Sequence, residues 1–287
     1  MYEYNEVKKE IVLKVFNSFN VSEILECGQC FRFEKINEGT YKIIAYGKIL
    51  YVEQSQEELR FYPTTEEDFK NIWIRYFDLD CDYAYIKKVL TKDDEIMQSA
   101  IEFGGGIRIL KQEPFECLIS FVISQNNRIP KIKQVIKNLS HRYGDKLDDD
   151  SYAFPTVEQL IDISEAELTE SKTGFRAKYI RDAVAKVYTS EINFKSFENM
   201  ETDEVRKKLI SIFGVGPKVS DCVLLFSLNR SEVFPTDVWI KRIMQYYYFE
   251  NEETSMNEIQ NLAYEKYGAY AGIAQQYLFH YARHFLN

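Results

Sequence analysis

Apolar and polar positions alternate along the first sixty residues, and then the period changes. Residues 30–35, 41–46 and 49–54 are short runs rich in aromatic and β-branched side chains, and 57–62 is a further one. Asn37-Glu38-Gly39 and Gly47-Lys48 separate them, so the pattern predicts an antiparallel meander. From Thr64-Thr65-Glu66-Glu67 onward the spacing is helical, with Phe69, Ile72, Trp73 and Phe77 on one face. Helices follow over 82–90 and 93–103. Gly104-Gly105-Gly106 then breaks the pattern, which places a domain boundary there. Residues 1–104 form a sheet with flanking helices, and 105–287 form a helical domain.

The helical part opens on 113–124, apolar at Phe115, Leu118, Ile119, Phe121, Val122 and Ile123, which reads as a buried central helix. It ends at Gln125-Asn126-Asn127-Arg128. Amides at a helix end act as caps and turn formers, or fill the hole left by an unstacked base. The next helices cover 129–143 and 157–168. Thr173-Gly174-Phe175-Arg176 is a second helix-break-helix junction, where Phe175 is a core ring or a wedge. The tail, 256–287, is helical and aromatic. Gln275 and Phe279 share one of its faces, either for packing or for stacking on and reading a base.

The densest chemistry lies in 205–242. An amphipathic run closes on Leu209, Ile210, Ile212 and Phe213, and Gly214-Val215-Gly216 turns the chain sharply. Pro217 suits the first position of a new helix, whose buried face is Val219, Cys222, Val223 and Phe226. Helix, hairpin and helix thus occupy about 205–228. Such a turn points backbone N–H groups outward, where they bind phosphate without reading sequence. Lys218 is the second helical residue, where the helix dipole favours its neutral, nucleophilic form. Asp237, in Pro235-Thr236-Asp237-Val238, fits an N-cap and also a carboxylate that stabilises a cationic sugar.

Composition narrows the class. A net charge of −9 argues against a nonspecific nucleic-acid binder. Yet residues 117–144 contain no acid and carry Arg128, Lys131, Lys133, Lys137 and Arg142. Lys172, Arg176, Lys178 and Arg181 form a second basic group, so a DNA track on an acidic body is expected. No apolar run reaches the roughly 18–20 residues that cross a bilayer, and MYEYNEVKKE has no signal-peptide pattern. A soluble intracellular monomer, cytoplasmic or nucleoid-associated, is expected. Five cysteines, odd in number and scattered, argue against a disulfide scaffold, and Cys27-Gly28-Gln29-Cys30 lacks a second pair for zinc. His280 and His284 lie one turn apart without a third ligand.

Gly-Val-Gly-Pro-Lys at 214–218, then Val-Ser-Asp-Cys and Pro-Thr-Asp-Val, resembles the signature of the helix-hairpin-helix DNA glycosylases. A lysine at this place marks the branch that removes a base and then nicks the strand. No cysteine follows Cys222, so the C-terminal iron–sulfur cluster of many relatives is not expected. Five further stretches resemble the 8-oxoguanine DNA glycosylases: 27–32, 106–114, 124–127, 174–177 and 270–279. The resemblance implies an α+β protein, with a TATA-binding-protein-like antiparallel domain joined to an all-α glycosylase domain. It implies double-stranded DNA containing 8-oxoguanine as partner and no cofactor for catalysis.

The resemblance also implies roles. Lys218 attacks the sugar and Asp237 steadies its charge. The Gly28 carbonyl accepts from the N7–H that only the oxidised base bears. Cys222 and Phe279 sandwich that base, and Gln275 meets its Watson–Crick edge. Asn126 and Arg176 contact the widowed cytosine beside the wedge Phe175, with Gln125 and Asn127 adjoining. Gly214 and Gly216 hold phosphate, and carbonyls of Ile210, Ile212 and Val215 bind a structural monovalent or calcium cation. The chain departs from the family pattern at three places. Arg128 and Lys131 replace a third asparagine and an arginine, which implies a looser preference for cytosine opposite the lesion. Phe175 replaces a tyrosine, and Trp239 replaces a histidine at a phosphate contact. Two other readings stay open: a glycosylase for another oxidised purine, and a noncatalytic DNA-binding module.

Overall fold

Strands β1 (Tyr2–Asn5), β2 (Glu10–Lys14), β3 (Phe33–Asn37), β4 (Thr40–Ala45), β5 (Lys48–Gln54) and β6 (Glu58–Tyr62) make one antiparallel sheet in the order β1-β2-β6-β5-β4-β3. The computed structural model describes residues 2–14 and 18–285. Ile11, Leu13, Tyr41, Ile43, Leu50, Val52, Leu59 and Phe61 are buried, and the period of two puts them on one face. Phe69, Trp73, Tyr76 and Phe77 cover that face from a helical segment over 66–76, capped by Thr65.

The sequence pattern differs from this domain in four places. β1 and β2 fall outside the predicted meander, yet β2 is an interior strand paired with both β1 and β6. β3 starts at Phe33 rather than at residue 30. The β4–β5 turn is Tyr46-Gly47, one residue earlier than predicted, because Ala45 pairs with Lys48. Val21–Glu26 is a helix inside the strand-rich stretch, capped by Asn20, whose side chain accepts from Ser22 N and Glu23 N. Six residues are too few to display a clear helical period.

The helical core is built around Pro114–Ser124, whose residues 117–123 are all buried. It packs on Pro217–Phe226, buried throughout 219–226, and the Phe121 and Phe226 rings stack at 5.4 Å. Tyr83–Leu90 and Glu95–Gly104 bury their apolar faces in this core rather than under the sheet, although they precede the glycine break. The helix predicted over 157–168 is divided into Val157–Leu160 and Glu165–Glu170, since Ser164 caps the second piece with a capping box. Ile129–Tyr143, Ala177–Tyr188, Thr202–Ile210 and Val238–Tyr248 follow the pattern. The tail is two helices, Met256–Tyr267 and Ala271–Phe285, parted at Gly268. Its last predicted residues, 286–287, lie outside the described ones. Among the described residues no helix is long and apolar enough to cross a membrane.

Candidate active site and DNA-binding face

Two helix starts bring the charged pair together. Gly216 is extended, Pro217 opens the helix, and Lys218 is its second residue. The Lys218 ammonium sits 5.0 Å from the ring centroid of Phe121, on the central helix. Asp237 caps Val238–Tyr248, where its Oδ1 accepts from Ile240 N at 2.9 Å. The cap engages one carboxylate oxygen, so capping and a catalytic role are compatible. Both charges act on one buried thiol. Burial pushes Cys222 up to about 11, the nearby Lys218 charge opposes that rise, and Asp221 and then Asp237 add to it. Both groups are therefore within electrostatic reach of Cys222.

The residues expected to read the base come together from two ends of the chain. Gly28 follows the Val21–Glu26 helix with φ +93, in the left-handed region. Phe279 lies across from it: a β-carbon on Gly28 would stand 3.3 Å from Phe279 Cε1. Gln276 donates to the Cys27 carbonyl at 3.4 Å and Arg283 to the Glu26 carbonyl at 3.3 Å, which ties the last helix to this loop. Gln275 Oε1 is buried and has no partner among the described residues. An orphaned buried carbonyl costs about 1–3 kcal/mol, so it calls for a ligand donor.

Sequence reading missed Gln29, which holds this loop. Its Nε2 donates to the carbonyls of Ile24 at 2.9 Å and Arg108 at 2.8 Å, and its Oε1 accepts from Leu110 N at 2.8 Å. The side chain is fully buried. Burial among apolar neighbours keeps the Cys27 and Cys30 thiols protonated, and all five cysteines are free. The Cys-Gly-Gln-Cys stretch is thus a braced turn that presents Gly28.

A second group of residues faces outward beside the hairpin. Gly214 has φ +80, and a β-carbon there would lie 2.4 Å from the Tyr179 ring. The Gly214 and Gly216 N–H groups have no acceptor among the described residues, whereas Phe213 N donates to Asp182 Oδ2 at 2.7 Å. At the turn after the central helix the three amides divide their work. Gln125 Nε2 donates to Val122 O at 3.3 Å and Asn127 Nδ2 to Ile123 O at 3.2 Å, so both cap the helix end. Asn126, at φ +48 and exposed, leaves its side chain free. Phe175 is 53% exposed and Trp239 51%.

Family models match the chain almost end to end. Residues 11–118 match the 8-oxoguanine DNA glycosylase N-terminal domain, and 119–267 match the HhH-GPD superfamily of base excision DNA repair proteins. The chain belongs to the 8-oxoguanine DNA glycosylase family. Saccharomyces cerevisiae N-glycosylase/DNA lyase is 31% identical, over 90% of this chain and 82% of the yeast one. The structure of Clostridium acetobutylicum 8-oxoguanine glycosylase/lyase, with double-stranded DNA holding cytosine opposite 8-oxoG, has a TM-score of 0.95 and 41% identity. It covers 100% of this chain and 99% of its own. MBOgg1, solved with a low-affinity DNA ligand, has a TM-score of 0.96 and 43% identity, with both chains covered completely.

In this member of the family the basic strip is thinner than its sequence implies. Arg176 is buried, and its guanidinium donates to the carbonyls of Gln125 and Asn126 while lying 4.4 Å from the Phe175 ring centroid. It braces the Asn126 turn rather than standing as a surface charge. Arg181 caps the carbonyls of Ile161 and Ile163, and Arg142 pairs with Glu170 at 2.7 Å. Guanidinium groups satisfy backbone carbonyls as readily as phosphates, which a count of charges does not register. Arg128, Lys131, Lys137, Lys172 and Lys178 are exposed and keep no carboxylate partner among the described residues. They are the cations left for a DNA backbone.

Proposed function

We propose that this glycosylase excises 8-oxoguanine from duplex DNA and then cuts the strand at the abasic site. Lys218 and Asp237, each at a helix start and both within electrostatic reach of the Cys222 thiol, carry this reading. A binding module needs no amine and carboxylate beside one buried group. The names of its relatives, glycosylase and lyase together, support both steps.

The damaged nucleotide leaves the stack at a cost of a few kcal/mol, met by protein contacts. Phe279 and Cys222 face the two sides of the base. The Gly28 carbonyl accepts from N7–H of 8-oxoguanine and repels the N7 lone pair of guanine. Gln275 Oε1, without a donor among the described residues, accepts from an N–H on the Watson–Crick edge. Asn126 meets the cytosine left behind, with Phe175 as the wedge and Arg176 holding the turn.

The Lys218 amine bonds to C1′ as the C1′–N9 bond breaks. The base leaves with the bonding pair, and the proton lost by the lysine nitrogen balances the one the purine gains. The Asp237 carboxylate opposes the positive charge that develops on the sugar. Ring opening gives an imine. Loss of a C2′ proton then expels the 3′ phosphate oxygen, and the strand breaks 3′ to the lesion. The carbonyls of Ile210, Ile212 and Val215, all hard oxygen donors, suit a structural monovalent or calcium cation that stiffens the hairpin. The Ile212 carbonyl already accepts from Val215 N at 3.0 Å, the bond that closes this turn. The reading puts the protein with the chromosome, in the cytoplasm or nucleoid.

Borohydride reduction tests the reading. Wild-type protein should be trapped covalently on an 8-oxoguanine duplex, and Lys218→Gln should not. Persistent trapping by Lys218→Gln would falsify the assignment.

A further inference from the structure

A row of aromatic rings joins the wedge to the hairpin. Phe175 and Tyr179 meet edge to face at 5.9 Å between centroids, and Tyr179 and Phe213 do so at 5.1 Å. Tyr179 is the fixed post of the row, because Gly214 leaves its ring the space a side chain would fill. The two outer rings are open to solvent, Phe175 by 53% and Phe213 by 54%. Half-exposed phenylalanines in a line are costly in water and mark a surface that something covers. Phe213 is also held in place from behind. Its N–H donates to Asp182, and Lys186 neutralises Asp182 at 3.1 Å. Lys178 lies over the row, with its ammonium 5.5 Å from the Tyr179 centroid and 5.2 Å from the Phe213 centroid, and it has no carboxylate partner among the described residues.

We propose that Phe213 and Lys178 form a second DNA contact, in which the Phe213 ring lies against a deoxyribose and Lys178 pairs with the adjoining phosphate. This rests on the glycosylase reading, which puts duplex DNA on this face. The row spans up to about 11 Å, which is about three nucleotides at 3.4 Å per step of one strand. The ring therefore sits about three nucleotides from the wedge. An apolar ring with an unpaired ammonium fits a sugar-phosphate unit, and it excludes a base-specific role because the ring carries no hydrogen-bonding atom. The contact fixes the duplex between wedge and hairpin amides and so contributes to binding every duplex, damaged or not.

The test uses the full-length protein with Phe213→Ala and Lys178→Gln. Binding is read by fluorescence anisotropy on 8-oxoguanine and undamaged duplexes, and excision by single-turnover assays at saturating protein. Phe213→Ala should weaken binding to both duplexes by about tenfold, with the saturated excision rate within about twofold of wild type, and Phe213→Leu should recover most of the affinity. Lys178→Gln should lower the slope of log affinity against log salt by about one. Hydroxyl-radical footprints should lose protection at sugars about three nucleotides from the lesion. Wild-type affinity and footprint in both variants overturn the contact while excision by wild-type protein stands. Absence of wild-type excision fails the glycosylase reading itself. Both side chains are exposed, and an unchanged melting temperature separates lost contact from lost fold.

Discussion

The Phe279 ring limits what can stand at position 28: a β-carbon on Gly28 would come within 3.3 Å of its Cε1 atom. These residues are almost a full chain apart, yet they lie against one another. Two effects oppose any substitution at Gly28. Holding a side chain at φ +93 costs about 1–3 kcal/mol. The contact itself needs a shift of only a few tenths of an ångström. Backbone strain therefore governs stability, and the displaced ring governs function.

Gly28→Ala is expected to unfold about 1–3 kcal/mol more easily and to lose at least about tenfold in 8-oxoguanine excision. Urea unfolding and single-turnover excision measure the two effects. Full activity in a strained but folded variant would remove Gly28 from the base pocket.

Asp237→Asn separates capping from catalysis. Asparagine caps as well as aspartate does, so stability should change by less than about 0.5 kcal/mol. The carboxylate charge is gone, and the excision rate should fall by about a hundredfold or more. Calorimetry and single-turnover kinetics on the same preparation decide it. Equal rates for the two side chains would reduce Asp237 to a cap.

Lys131 stands free at the first turn of Ile129–Tyr143, where a forked guanidinium would grip cytosine more specifically. Excision opposite cytosine, adenine, guanine and thymine should differ by less than about tenfold in the wild type. Lys131→Arg should raise the preference for cytosine by about fivefold to tenfold or more. A strong cytosine bias in the wild type would show that Asn126 and its braced turn suffice.

His280 sets an acid limit. Burial, with His284 and Arg283 adding, pushes its pKa down to about 4, below the usual value near 6.5. The unfolded chain takes up this proton first. Stability is therefore complete above about pH 6.5, falls as pH drops through the window, and reaches its full loss below about 4. Melting temperature against pH should be flatter between 6.5 and 4 for His280→Gln. An unchanged slope would assign the acid sensitivity to other groups.

The hairpin, the lysine at the second helical position and the capping aspartate were legible in the sequence because each is a local matter. A turn that needs positive φ, a proline at a helix start and a cap within three residues leave their mark on neighbouring letters. The central helix was legible too, since burial on every side leaves no polar stripe. Short elements were less so. Val21–Glu26 spans fewer than two turns, and β2 lacks the alternation of a half-solvated strand, because Ile11, Val12 and Leu13 stand together.

Partnership across distance had no local signal. Nothing near Arg176 shows that carbonyls fifty residues earlier would claim its guanidinium, or that Gln29 would be fastened to Arg108 and Leu110. Nothing near Tyr179 announces that Gly214 would make room for its ring. By itself, the sequence determined the kinds of element, the lysine at the hairpin and the capping carboxylate, since these follow from backbone rules that act over a few residues. The tertiary structure alone decided which amides stay free for DNA, which cations remain unpaired and which rings face solvent. Those outcomes depend on competition among side chains for the same acceptors and the same space, which exists only after distant segments have packed.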